Sequence, residues 1–160
     1  MTSDPVQFRL FNEIGIIAQL ATSMFERAMP KGMTIAQFSL LNHFARLGGG
    51  KNPAALASAF QVTKATMTST LQRLAAKGLV SIVPDPADGR GKRVSITDEG
   101  RQMRERCVAA LAPELGELSK LWSPIESEVI LSRLAELRQR LDKARHQRAA
   151  KSGAASDKMP

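Results

Sequence analysis

The sequence predicts a mainly α-helical fold with one small β-hairpin. Apolar residues recur every three or four positions through most of the 160 residues, which is the pattern of amphipathic helices. The pattern changes only at 79–96, where two short β-branched runs flank a segment rich in proline, glycine and aspartate. That combination is typical of a hairpin.

The first two helices are predicted from an apolar stripe and from their end signals. Residues 6–29 form the first, with an apolar face that Met29-Pro30-Lys31-Gly32 ends. The second begins at Thr34, which forms a capping box with Gln37, and ends at the glycines 48–50.

Two shorter helices follow close together. Asn52 as N-cap and Pro53 at the first helical position predict a helix over about 53–60. After a tight turn, a further helix is predicted from Thr63 to Lys77. Two helices joined by so short a turn form a helix-turn-helix.

The hairpin follows this motif directly. Its strands are predicted at 79–83 and 93–96, joined by a loop over 84–92. The order of elements therefore predicts a winged helix-turn-helix, in which the hairpin is the wing.

Two more helices are predicted after the hairpin. The first begins at the cap Thr97, and Pro113 and Gly116 predict a kink or a break in it near residue 112. Ser123 opens the last helix with a second capping box. Residues 147–160 are predicted to be a flexible basic tail.

Composition indicates the class of partner and the compartment. The formal charge of +8 favours a polyanionic partner, although half of it lies in residues 140–160. The single Cys107 excludes an intramolecular disulfide framework, and no signal peptide or membrane span is recognised. We therefore expect a cytoplasmic protein without a membrane association.

Catalytic motifs are missing from the sequence. It contains no glycine-rich phosphate loop, paired-carboxylate motif or nucleophile elbow. His43 and His146 form no metal-ligand pattern. We expect no enzyme activity, no metal and no cofactor.

The helix predicted at 63–77 carries the strongest functional signal. Met67, Leu71 and Leu74 form an inward stripe, while the opposite face is small, polar and basic without any acidic residue. Small and hydroxyl side chains let a helix enter the DNA major groove and contact base edges. The residues predicted to contact DNA here are Thr63, Lys64, Ala65, Thr66, Thr68, Ser69, Gln72 and Arg73.

The wing provides a second predicted contact. Asp88, Arg90, Lys92 and Arg93 lie at or near its tip, and an arginine there suits a narrow minor groove. Asp88 is two residues before Arg90 and is placed to hold its guanidinium.

These motifs together resemble the MarR family of bacterial transcription regulators. The stretches 56–57, 62–68 and 74–80 are similar to the family's helix-turn-helix. The run 85–90 resembles its wing signature, and 96–100 resembles its strand-to-helix junction.

The resemblance implies a domain organisation and an assembly. It implies an N-terminal dimerisation helix at 1–33, a DNA-binding domain at 34–100 and C-terminal dimerisation helices at 101–146. A homodimer of this kind would bind a pseudo-palindromic operator with half-sites roughly 34 Å apart, most often as a ligand-responsive repressor.

The resemblance also implies two ways to sense a signal. Many relatives bind a small aromatic effector, for which Phe11, Phe38, His43 and Phe44 are the candidate pocket residues. Others sense oxidants through a cysteine, which here would be Cys107. An architectural DNA-binding protein without sequence preference and a purely dimerising interaction protein remain the alternatives.

Overall fold

The structure is a computed structural model that describes residues 4–50 and 52–156, excluding the side chains of 88–90 and 149–156. The chain divides into two compact units, residues 1–114 and 115–160, which are described separately. Its elements are α1 (Val6–Ala28), α2 (Ile35–Leu47), α3 (Pro53–Ala59), α4 (Lys64–Ala76), β1 (Val80–Asp85), β2 (Asp88–Ile96), α5 (Asp98–Ala110), α6 (Ala112–Leu118) and α7 (Pro124–Ser156). The predicted mainly α fold with one hairpin is confirmed.

Side-chain caps fix the starts of most helices, as the sequence predicts. The Thr34 hydroxyl accepts from the Gln37 amide at 3.2 Å, and the Gln37 side chain accepts from the Thr34 amide at 3.4 Å. Ser123 and Glu126 form the second capping box, with bonds of 2.8 and 3.3 Å. Side-chain caps also begin three other helices, at Asn52, Thr63 and Thr97.

The hairpin has longer strands than the sequence predicts. Val80 pairs with Ile96, and the antiparallel register continues to Pro84 opposite Lys92. The predicted loop over 84–92 is therefore wrong, since only residues 86 and 87 separate the strands. Pro84 is tolerated because a two-stranded sheet has an unpaired edge on each strand. The Asp85 carboxylate accepts from the Ala87 amide at 3.0 Å, which closes the turn.

One hydrophobic core supports the first unit. α2, α3, α4, the hairpin and α5 all contribute to it, and Phe44, Leu74 and Val94 have no exposed surface. A turn of chain links the hairpin to α5, where Thr97 donates its hydroxyl to the Gly78 carbonyl at 2.7 Å. This packing gives α4 and the wing a common rigid base.

The C-terminal part shows one confirmed prediction and one wrong one. The predicted break occurs, because α5 ends at Ala110 and α6 begins at Ala112. The last helix, however, continues to Ser156 through residues predicted as a flexible tail. Residues 147–151 include arginine, alanine and lysine, which are strong helix formers, so no stop signal precedes Gly153.

None of the helices among residues 4–50 and 52–156 is both long and apolar enough to cross a membrane.

Candidate nucleic-acid interface

The residues of α4 and its N-cap that are predicted to contact DNA are all exposed to solvent. Met67, Leu71 and Leu74 are at most 3% exposed and hold the helix on the core. The exposed residues are Thr63, Lys64, Ala65, Thr66, Thr68, Ser69, Gln72 and Arg73. The separation into an inner and an outer face thus agrees with the sequence prediction, while contact of the outer face with DNA stays a prediction.

One of these residues, Thr63, also caps the helix and bonds to Thr66. The Thr63 hydroxyl accepts from the Thr66 amide at 3.0 Å and lies 2.8 Å from the Thr66 hydroxyl. These bonds fix both side chains at the helix N-terminus, where backbone N–H groups without helical partners favour an anion. Contact of Thr63 and Thr66 with DNA stays a prediction.

Lys64, Thr68 and Gln72 form a stripe along α4, because residues four apart lie above one another on a helix. This stripe lines a groove of about 310 Å³, together with Lys92 of the wing. Its remaining lining residues come from the start of α3, the core side of α4 and the hairpin: Asn52, Pro53, Ala54, Leu71, Ile82 and Gly91. The structure thus brings three of the predicted helix residues and one predicted wing residue onto one surface, which we call the α4–wing surface.

Arg93 makes contacts within the protein that the sequence did not predict, while its contact with DNA stays a prediction. Its Nε lies 3.9 Å from the Asp85 carboxylate and 3.5 Å from the Gly50 carbonyl. Gly50 in turn donates its amide to the Val94 carbonyl at 2.9 Å. Arg93 thus connects the wing to the α2–α3 turn, a contact without a local sequence signal because Gly50 is 43 residues away.

The predicted pair of Asp88 and Arg90 belongs to β2 by its backbone. Both side chains lie outside the described residues, so their contact with each other and with DNA stays a prediction.

The charge around the interface is more one-sided than the net charge indicates. Residues 27–84 contain seven lysine and arginine residues and neither aspartate nor glutamate. α2, α3 and α4 all lie within this segment. The absence of negative charge from these three helices favours a polyanionic partner.

The four candidate pocket residues lie in different environments. Phe38 and Phe44 are buried in the core, whereas Phe11 is 46% exposed on α1. His43 is half-buried and packs edge-on against Phe44 and Phe60. None of the four lines the groove at the α4–wing surface, and the effector pocket remains a prediction.

Cys107 lies fully buried in the core of the first unit. Burial raises the pKa of its thiol, and the nearby Arg106 opposes this shift only partly. The thiolate is the form that reacts with oxidants, so the described environment keeps Cys107 in its unreactive form. This observation weighs against the redox-sensing alternative.

Comparisons with known proteins agree with this geometry. Residues 31–91 match the model of the MarR family. The multiple antibiotic resistance protein MarR of Escherichia coli K12 is 32% identical over 120 residues, which span 69% of this chain and 83% of that protein.

Solved structures of transcription regulators are also similar to this chain. A mutant MarR from E. coli complexed with operator DNA has a TM-score of 0.65 and 27% identity, covering 84% of this chain and 99% of the other. The regulator BldR from Sulfolobus solfataricus has a TM-score of 0.72 and 26% identity, covering 88% and 99%.

Proposed function

This chain belongs to the MarR family of transcription regulators, and we propose that it binds a pseudo-palindromic operator in double-stranded DNA as a homodimer. In this proposal α4 enters the major groove and the wing reaches the adjacent minor groove. The family is one of transcription regulators, which agrees with the missing catalytic motifs.

One observation carries the proposal. Lys64, Thr68 and Gln72 of α4 line the same groove as Lys92 of the wing. Lysines neutralise phosphates and fix the register of a protein on DNA, while hydroxyl and amide groups contact base edges. The α4–wing surface therefore combines the groups for holding the backbone with the groups for reading sequence.

The exposed apolar residues of α1 support the homodimer. α1 has no buried residue in the single chain, although it spans 23 residues. Its large apolar side chains that remain exposed are Val6, Phe8, Leu10, Phe11, Ile16, Ile17 and Leu20. Apolar surface of this extent marks an interface between proteins. We propose a second copy of this chain as the partner.

α7 adds to the same argument within the second unit. Ile125 is 78% exposed and Leu131 is 60% exposed. Both would be covered if this helix, like α1, contributes to the dimer.

The proposal extends to regulation by a small-molecule ligand. We propose that the protein is a repressor that releases its operator when a small aromatic effector binds. Phe11, Phe38, His43 and Phe44 stay the candidate residues for this effector.

Competition binding tests sequence-specific recognition against the architectural alternative. A labelled operator, obtained by selection from random duplexes, is titrated with the protein at about 0.15 M salt. We expect its complex to survive roughly a hundredfold excess of random duplex, because specific binding is roughly 10³- to 10⁷-fold tighter than non-specific binding. Equal loss of the complex with random and with operator competitor would establish the architectural alternative instead.

A further inference from the structure

Lys77 lies at the C-terminal end of α4 and connects that end to a distant part of the chain. Its ammonium donates to the Gly32 carbonyl and, at 3.0 Å, to the Gln37 side-chain oxygen. Gly32 belongs to the turn between α1 and α2, and Gln37 belongs to the first turn of α2. Lys77 thus connects the end of α4 to the α1–α2 turn and to α2. Its two partners, Gly32 and Gln37, lie 45 and 40 residues earlier in the sequence.

The acceptors of this contact are themselves fixed. Gln37 is 3% exposed, and its side-chain oxygen also accepts from the Thr34 amide in the capping box. Gly32 has φ +85°, a left-handed conformation that glycine adopts without strain. The ammonium of Lys77 therefore binds a pre-formed pair of oxygens rather than a mobile surface group.

The position of α4 depends on what holds its two ends. Its inner face is anchored by Met67, Leu71 and Leu74, and its N-terminus is fixed by the Thr63 cap. Its C-terminal end is followed by the buried Leu79 and by the Thr97 hydroxyl bond to the Gly78 carbonyl, and the Lys77 ammonium adds a contact to the α1–α2 turn. A helix of 13 residues is about 20 Å long, so a small rotation at one end displaces side chains along its whole outer face. Base contacts tolerate little displacement, because hydrogen bonds weaken beyond about 3.2 Å.

We propose that Lys77 is a positioning residue for operator recognition, which holds the C-terminal end of α4 on the α1–α2 turn. This inference rests on the proposed function. The α1–α2 turn leads directly from α1, the helix with exposed apolar residues, so the contact links the proposed dimer helix to the base-reading helix. A change in the α1–α2 turn would then alter operator affinity without altering any residue that touches DNA.

Lys77 has one competing role, that of a direct phosphate contact. A phosphate contact would contribute equally to operator and random DNA, and its loss would lower the salt slope of binding by about one unit. A positioning residue affects the operator and leaves random DNA binding unchanged. The two roles therefore differ in a measurable ratio.

The test compares Lys77→Met with Lys31→Met in the full-length protein. The first variant removes the donors but keeps an apolar stem, and the second removes one charge from the same turn without touching Gln37 or α4. Affinity for the selected operator and for a random duplex is measured at several salt concentrations, with thermal unfolding recorded for each variant.

We expect Lys77→Met to weaken operator binding by about tenfold, the size of one lost base contact, and to change random DNA binding by less than about twofold. Lys31→Met should leave both affinities within about twofold of wild type. Equal weakening on both DNAs, or no weakening on the operator, would overturn the inference. A wild-type protein that shows no operator preference would instead refute the proposed function and, with it, this inference.

A double variant checks that the contact acts through Gln37. Gln37→Met removes the acceptor, so its combination with Lys77→Met should cost little more operator affinity than the stronger single change. Fully additive losses would show that the two residues act independently and would contradict the proposed contact.

Discussion

Gln72→Glu is expected to abolish most of the operator affinity of this protein while leaving its fold intact. Gln72 is exposed on α4 and lines the same groove as Lys64 and Lys92. Glutamate has nearly the same shape but places a negative charge on the surface that, in the proposed complex, faces phosphates and base-edge acceptors. We expect a loss of about ten- to a hundredfold, the range given by losing one good base contact. Fluorescence anisotropy with the operator measures it.

Gln102→Glu is the matched control for this change. Gln102 is exposed near the N-terminus of α5 and does not line the groove. The same added charge there is also favourable to the helix dipole. Its operator affinity should stay within about threefold of wild type, since a distant exposed charge is screened by salt. If both variants lose affinity equally, the effect is one of net charge and α4 does not read the operator.

Gly100→Ala is expected to destabilise the DNA-binding domain strongly. A Cβ at residue 100 would lie 2.0 Å from the Leu79 carbonyl oxygen and 2.8 Å from the Ile96 Cγ1 atom. The Leu79 oxygen is a backbone atom that also accepts from the Thr97 amide at 3.2 Å, so it cannot move without opening the junction between the hairpin and α5.

Two opposing free-energy terms decide whether Gly100→Ala stabilises or destabilises the protein. Alanine gains up to about 1 kcal/mol over glycine in a helix. Overpacking a well-packed core costs about 1–3 kcal/mol, and a backbone clash lies at the upper end of this range. We therefore expect a net loss of about 2 kcal/mol in the free energy of unfolding, measured by urea denaturation.

Gly116→Ala provides the control, because a Cβ at residue 116 of α6 meets nothing within 4 Å. It should be neutral or stabilise the protein by up to about 1 kcal/mol. If Gly100→Ala is as stable as Gly116→Ala, the backbone at the junction between the hairpin and α5 can shift at little cost. The packing there would then not hold the wing rigidly on the core.

Local signals predicted the fold well because they act over few residues. The capping boxes at Thr34 and Ser123 and the break before Ala112 depend on neighbours within four positions, and all three are confirmed. The exposed and buried faces of α4 follow from the helical period alone. The errors arose where context overrides propensity, as at Pro84, which the edge of a two-stranded sheet tolerates.

The tertiary contacts of Arg93 and Lys77 could not be predicted from the sequence. Arg93 meets the Gly50 carbonyl, and Lys77 meets the Gly32 carbonyl, so both acceptors are backbone atoms of distant glycines. No side-chain pattern marks a backbone acceptor that tertiary packing brings within reach. The predicted DNA contact of Arg93 stays a prediction, beside the contacts with Asp85 and Gly50 that only the structure shows.

The most direct test of sequence-specific recognition by a two-fold dimer is a hydroxyl-radical footprint on the selected operator. The proposal predicts two protected half-sites in inverted orientation, about 34 Å apart, with further protection in the adjacent minor grooves. Protection spread evenly along the duplex, or confined to one half-site, would contradict it.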